Sequence, residues 1–176
     1  MESEDRADRD YLWRLRQDLL VQALTNRRYQ LERQRVMEFR EGAVKVCSLA
    51  AGSVAVARVA NAEVIYAAVA LIFVGTSSSL VFGWGNKARD AGKRAAEWLA
   101  LEGAIAAAGE RDFTESQISG WKAEAASIET GEPAPNTALL EWCYREACMT
   151  LCRTPEGEGT VARWRMWLPH VLRPIP

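Results

Sequence analysis

A single histidine, His170, serves the whole chain of 176 residues, and that scarcity gives no reason to expect a Ser/His/Asp or Cys/His pair and argues against imidazole-rich metal sites. The phosphate-cradling Gly-x-x-x-x-Gly-Lys-Ser/Thr loop, the Gly-x-Gly-x-x-Gly turn and the Gly-x-Ser-x-Gly elbow are all missing. Net charge is scarce as well. The 22 Lys and Arg nearly cancel the 23 Asp and Glu, which excludes both the basic footprint of a nucleic-acid binder and the charge-driven composition of a disordered chain. No alternating pattern long enough for a strand is present, so the expectation is an all-α protein, and its length allows one domain of ordinary size or one small domain plus a membrane hairpin.

Cysteine is sparse and oddly placed. Cys47 stands in an apolar stretch, while Cys143, Cys148 and Cys152 share one helical segment, a spacing that fits no disulfide framework. Those three with His170 make four zinc donors on paper, yet the paired short spacing of zinc sites is lacking, and reduced cysteines packed as small apolar residues fit better. No metal, cofactor or catalytic residue is nominated. Carboxylates such as Glu97, Glu102, Glu124 and Glu146 fall on solvated helix faces. Residues 1–10 are dominated by Glu, Asp and Arg instead of a secretory signal, so the N-terminus is expected to stay in the cytoplasm.

Formal charge is also scarce, but only locally. Mean hydropathy is only −0.16, but between Val46 and Gly85 the sole formal charges are Arg58 and Glu63. The run 64–85 is uncharged; roughly 20 apolar residues at about 1.5 Å each match a hydrocarbon core of about 30 Å, with Tyr66 and Trp84 near its ends. The run 43–60 is weaker, built on Ala, Gly and Ser, with Lys45 and Arg58 placed to snorkel. Together they read as a transmembrane hairpin. Arg27, Arg28, Arg33, Arg35, Arg40 and Lys45 precede it and Lys87, Arg89, Lys93 and Arg94 follow, against Arg58 in the connector, so both termini are expected inside. Small residues at four-residue spacing permit close helix approach: Gly75, Ser79 and Gly83 on one run, Ser48 with Gly52 and Ala51 with Ala55 on the other. Thr76, Ser77, Ser78 and Ser79 add hydroxyls that bond the preceding turn or line an aqueous path between subunits. The candidate packing or pore-lining set is Gly52, Gly75, Ser77, Ser78, Ser79 and Gly83.

Around the hairpin the sequence is helical. Residues 10–40 hold no Gly or Pro and put Leu12, Leu15, Leu19 and Ala23 on one face, with Leu20, Leu24 and Leu31 beside it. An alanine-rich helix follows over 87–109, with Ala91, Ala95, Trp98 and Ile105 on one side. Thr114-Glu115-Ser116-Gln117 is a capping box ahead of Ile118, Trp121, Ala125 and Ile128, and Asn136 caps a helix carrying Leu139, Leu140, Cys143, Ala147 and Leu151. The expected organisation is an N-terminal cytoplasmic helix (1–42), a membrane hairpin (43–85, as 43–60 and 64–85), a cytoplasmic helical region (86–154) and a Trp/Arg/Pro-rich tail (155–176). In that tail Trp and Arg suit either a bilayer interface or docking on the helices.

This order of parts resembles the SLATT family of bacterial proteins with two membrane helices and a cytoplasmic helical region. The likeness spans about residues 25 to 150. It rests on Ala95-Ala96-Glu97-Trp98-Leu99-Ala100-Leu101-Glu102, on Ile128-Glu129-Thr130-Gly131-Glu132-Pro133-Ala134-Pro135, and on Trp142-Cys143-Tyr144-Arg145-Glu146-Ala147, which is similar to the family's Cys-x-Asn-Glu stretch with Arg145 in place of Asn. The resemblance implies an oligomeric, pore-forming or membrane-perturbing effector of bacterial conflict systems, with no catalytic residues to carry over. It would sit in the inner membrane, or in a host membrane if phage-encoded, with the lipid bilayer, further copies of itself and a sensor or regulatory protein as partners and no nucleic acid. A soluble helical interaction protein with both apolar helices buried in a bundle or an oligomer is the alternative.

Overall fold

Five helices account for the regular structure: α1 (Glu2–Val56), α2 (Ala62–Phe82), α3 (Trp84–Ala107), α4 (Glu115–Thr130) and α5 (Thr137–Thr150). The computed structural model describes residues 2–56, 62–110 and 113–155, and among these there is no strand. Side chains of residues 2–5, 7, 54–56, 64, 65, 68, 71, 76 and 78–80 also lie outside the description. The all-α expectation holds.

α1 is longer than the sequence reading allowed. The N-terminal helix and the first apolar run were expected to part at residue 42, but the helix passes through Gly42 without a break and continues to Val56, about 82 Å at 1.5 Å per residue. A lone glycine costs a helix only about 1 kcal/mol, which the good helix formers on both sides offset. The break that does form is at Gly83, whose φ of +56° is a left-handed conformation open to glycine at little cost. α2 therefore stops at Phe82 and α3 starts at Trp84, with the Lys87 N–H donating to the Gly83 carbonyl at 3.0 Å. The Phe82 and Trp84 rings stack across the junction, 5.5 Å apart and 8° from parallel.

α4 begins as the capping box foretold. Thr114 accepts from the Gln117 N–H at 3.3 Å, and the Gln117 side chain accepts from the Thr114 N–H at 2.8 Å. α5 is capped by Asn136, whose side chain accepts from the Ala138 N–H at 3.1 Å.

The chain divides into two compact units. The first comprises the described residues of Met1–Gln30 and Arg94–Pro176. Its core joins Leu19, Leu20 and Ala23 of α1 to Trp98, Leu101 and Ile105 of α3 and to Ile118, Trp121 and Ala125 of α4. A smaller cluster seats Leu139 and Cys143 of α5 on Tyr29. Within this unit α1 runs antiparallel to α3: Arg16 donates to the Ile105 carbonyl at 3.2 Å and Arg27 pairs with Glu102 at 2.8 Å. Burying a Leu, Ile or aromatic side chain contributes about 1.5–3 kcal/mol, so the nine residues of the main cluster supply the dominant favourable term here. The expected faces supply most of this core, but wholly buried Leu101 joins it unexpectedly and Leu31, expected beside the α1 face, is exposed.

The second unit is Leu31–Lys93, made of the rest of α1, all of α2 and the start of α3. Its helices are again antiparallel. A Cβ on Gly75 would lie 3.4 Å from Ser48 Oγ and 3.5 Å from Val44 Cγ1, one on Gly85 would run into Glu41, and one on Gly92 would lie 3.0 Å from Gln34. Along this line α1 numbers fall as those of α2 and α3 rise. The two apolar runs thus pack side by side within this unit. Among the described residues, however, no helix is long and apolar enough to cross a membrane, so the membrane span read from the sequence has no counterpart at that level.

Candidate functional site

The two units treat their apolar side chains in opposite ways. Among the described residues the second unit buries four hydrophobic residues, Met37, Ala51, Ala88 and Ala91, and exposes ten large ones. On its apolar segments these include Val46 and Leu49 of α1 and Tyr66, Val69, Phe73, Val74, Val81 and Phe82 of α2, with Leu49 at 73 %, Tyr66 at 75 % and Val81 at 80 % exposure. Single exposed hydrophobes are ordinary, whereas a set drawn from two packed helices is a surface that water covers at a cost near 25 cal/mol per Å². The small residues of the hairpin explain the imbalance. Ala, Gly and Ser at the helix contact let the backbones approach closely but fill little volume, so the large side chains are directed outward.

Of the predicted set, Gly75 faces α1 at Ser48 and Val44, an ordinary van der Waals approach that leaves room for no large side chain. Gly52 has nothing within 4 Å of an added Cβ. Gly83 belongs to no packing ridge, because its left-handed φ makes it the junction between α2 and α3 and nothing stands within 4 Å of an added Cβ there either. Ser77 is partly buried on α2, and Ser78 and Ser79 have side chains outside the described residues. On α1 the Ser53 hydroxyl donates to the Leu49 carbonyl at 2.9 Å, which satisfies a polar group on an apolar helix without outside help.

A further small-residue contact in this unit has no counterpart in the sequence expectations. Gly85, Ala88 and Gly92 form a small-residue strip on the first turns of α3, with Ala88 buried and with Gly85 against Glu41 and Gly92 against Gln34. The spacing was visible in the sequence. The expected boundary at residue 85 divides it, leaving Gly85 at the end of the apolar run and Ala88 and Gly92 in the alanine-rich helix.

Sequence reading also missed a cavity in the first unit. It measures about 660 Å³ and lies between Asp18, Val21, Gln22, Thr25 and Asn26 of α1, Glu129 of α4, and Leu140, Tyr144 and Cys148 of α5. Glu129 accepts from Gln22 at 2.7 Å and from Asn26 at 3.5 Å, and Glu141 accepts from Arg145 at 2.8 Å. At the far end Arg153 reaches back to Asp18 at 2.8 Å, and that carboxylate holds the guanidinium pKa above its ordinary value. Each of these carboxylates is thus committed to a protein donor. The cavity joins residues far apart in the chain, so no short motif announces it.

The four cysteines are reduced; Cys143 and Cys148 are buried while Cys47 and Cys152 are exposed. Among the described residues no group of three or more His, Cys, Asp or Glu side chains is arranged to hold a metal ion, and His170 lies outside those residues. No family model, curated protein or solved structure matches the chain.

Proposed function

We propose that this protein is a membrane-embedded helical effector, its second unit seated in a lipid bilayer and acting as an oligomer that perturbs the membrane. The observation carrying this reading is the inversion of apolar exposure in that unit, where among the described residues ten large hydrophobes are exposed and four residues are buried. Lipid covers such a surface without any protein partner, and the charge-free run 64–85 is about as long as a hydrocarbon core is thick. The back-bonded Ser53 hydroxyl supports the reading, since a polar group in hydrocarbon needs a local acceptor. The likeness to SLATT proteins points the same way. On this reading both termini are cytoplasmic and the connector around Ala62 is external.

Alkaline carbonate extraction tests it. The full chain should stay in the membrane pellet, and its induced expression should depolarise cells. With native cysteines removed, a Cys at Ala62 should react with an impermeant maleimide in intact cells and one at Ser116 should not. Recovery in the supernatant without detergent would remove the membrane reading.

The absence of a membrane-span helix among the described residues favours a second reading, in which another copy of the chain covers the same surface in a soluble interaction protein. That protein would appear in the carbonate supernatant and sediment as a concentration-dependent oligomer.

A further inference from the structure

We infer that the base of the apolar hairpin is a docking surface for anionic phospholipid headgroups, an inference that rests on the membrane reading above. The observation is a coincidence of level on two helices. A Cβ on Gly85 would collide with the Glu41 carboxylate, so the start of α3 and the Glu41 turn of α1 lie side by side within the second unit. At that level both helices become rich in basic residues, with Phe39 of α1 also exposed among them. On α1, Val46 and Leu49 are exposed above it, and Lys45 and Arg40 flank Glu41. Along α2 and α3, Val81 and Phe82 are exposed before the Gly83 junction, while Lys87, Arg89 and Lys93 are exposed beyond it.

The aromatic pair sits at the same boundary. The left-handed Gly83 brings the Trp84 ring onto Phe82, giving a flat apolar plate with an indole N–H, the kind of group that gathers where acyl chains meet headgroups. Acidic neighbours offset the charge only partly. Glu41 is tied to Lys45 at 2.7 Å, Glu38 accepts from Gln34 at 2.7 Å, and Asp90 is exposed on α3. Arg89 leans back on Asn86 at 2.8 Å, while Lys87 and Lys93 extend outward from α3. Five basic residues against three acidic ones leave a positive collar under an apolar stem, and phosphodiester anions at a bilayer surface complement both.

Vesicles test the collar separately from the stem. The full chain is synthesised cell-free with phosphatidylcholine vesicles, either alone or with added phosphatidylglycerol, and the co-floating fraction is measured. The chain should float with both and favour the anionic vesicles. The triple variant Lys87→Gln, Arg89→Gln, Lys93→Gln should lose that preference, by about five-fold per charge and roughly a hundred-fold in all, while still floating with phosphatidylcholine. High salt should erase the preference in the same way, and Lys122→Gln on α4 should leave it intact. Equal flotation with both vesicle types, or a triple variant that keeps its preference, would overturn the collar and leave the membrane reading standing. Loss of the preference to inorganic phosphate at matched ionic strength would mark a phosphate site and equally overturn the bilayer surface. A chain that floats with neither vesicle would defeat the membrane reading and the inference with it.

Discussion

The Tyr29 hydroxyl accepts a 2.9 Å hydrogen bond from the backbone N–H of Asn136, tying the middle of α1 to the residue that caps α5 across 107 positions of sequence. Tyr29 is buried, and its ring packs on Leu139 and Cys143, so one side chain supplies both the apolar seat and the polar pin of α5. Tyr29→Phe keeps the ring and removes the acceptor. It should cost about 1 kcal/mol in denaturant unfolding, with faster amide exchange at the first turn of α5.

Trp98 is wholly buried in the main cluster, and its indole N–H donates to Glu132 at 3.0 Å. Trp98→Ala should cost about 3–5 kcal/mol through the cavity it leaves, a large share of the stability of a domain this size. Near-ultraviolet circular dichroism should then lose its cooperative transition. Glu132→Gln, which retains an acceptor, should lower stability far less.

Gln30 is fully buried, and neither its side-chain oxygen nor its nitrogen has a hydrogen-bond partner. A buried polar group left unpaired costs about 1–3 kcal/mol, so Gln30→Met, similar in shape and free of that cost, should raise the melting temperature. An unchanged or lower value would show that the amide has a partner in solution.

The hairpin glycines should separate by substitution. Gly75→Leu pushes a side chain into Ser48 and Val44 and should splay the hairpin, seen as lost protection of α1 amides around residue 48. Gly52→Leu meets open space and should be tolerated. At Gly83 even alanine should be unfavourable, by about 1–2 kcal/mol, because the cost there is backbone strain at positive φ and not contact. Amide exchange around residues 82–87 should report it.

Local patterns carried much of this protein into view. Periodicity at 3.6 residues identified the faces of α3, α4 and α5, down to Trp98, Ile118 and Cys143, because those helices bury one apolar stripe each. The caps at Thr114 and Asn136 were legible for the same reason, since a cap is settled within four residues. Composition alone marked 43–85 as apolar. What the sequence could not decide were matters of partnership between distant residues. The continuity of α1 through Gly42 follows from the strength of the helix on both sides against a small local cost. Gly83 and Gly75 look alike as letters at four-residue spacing, but one is a junction and the other a contact, and only the backbone angle and the neighbouring helix distinguish them. The cavity between α1, α4 and α5 and the meeting of Gly85 with Glu41 arise where segments more than 40 residues apart pack together. A one-dimensional pattern records which face of a helix is apolar; which helix covers that face, and which apolar face is left uncovered, is fixed by tertiary packing.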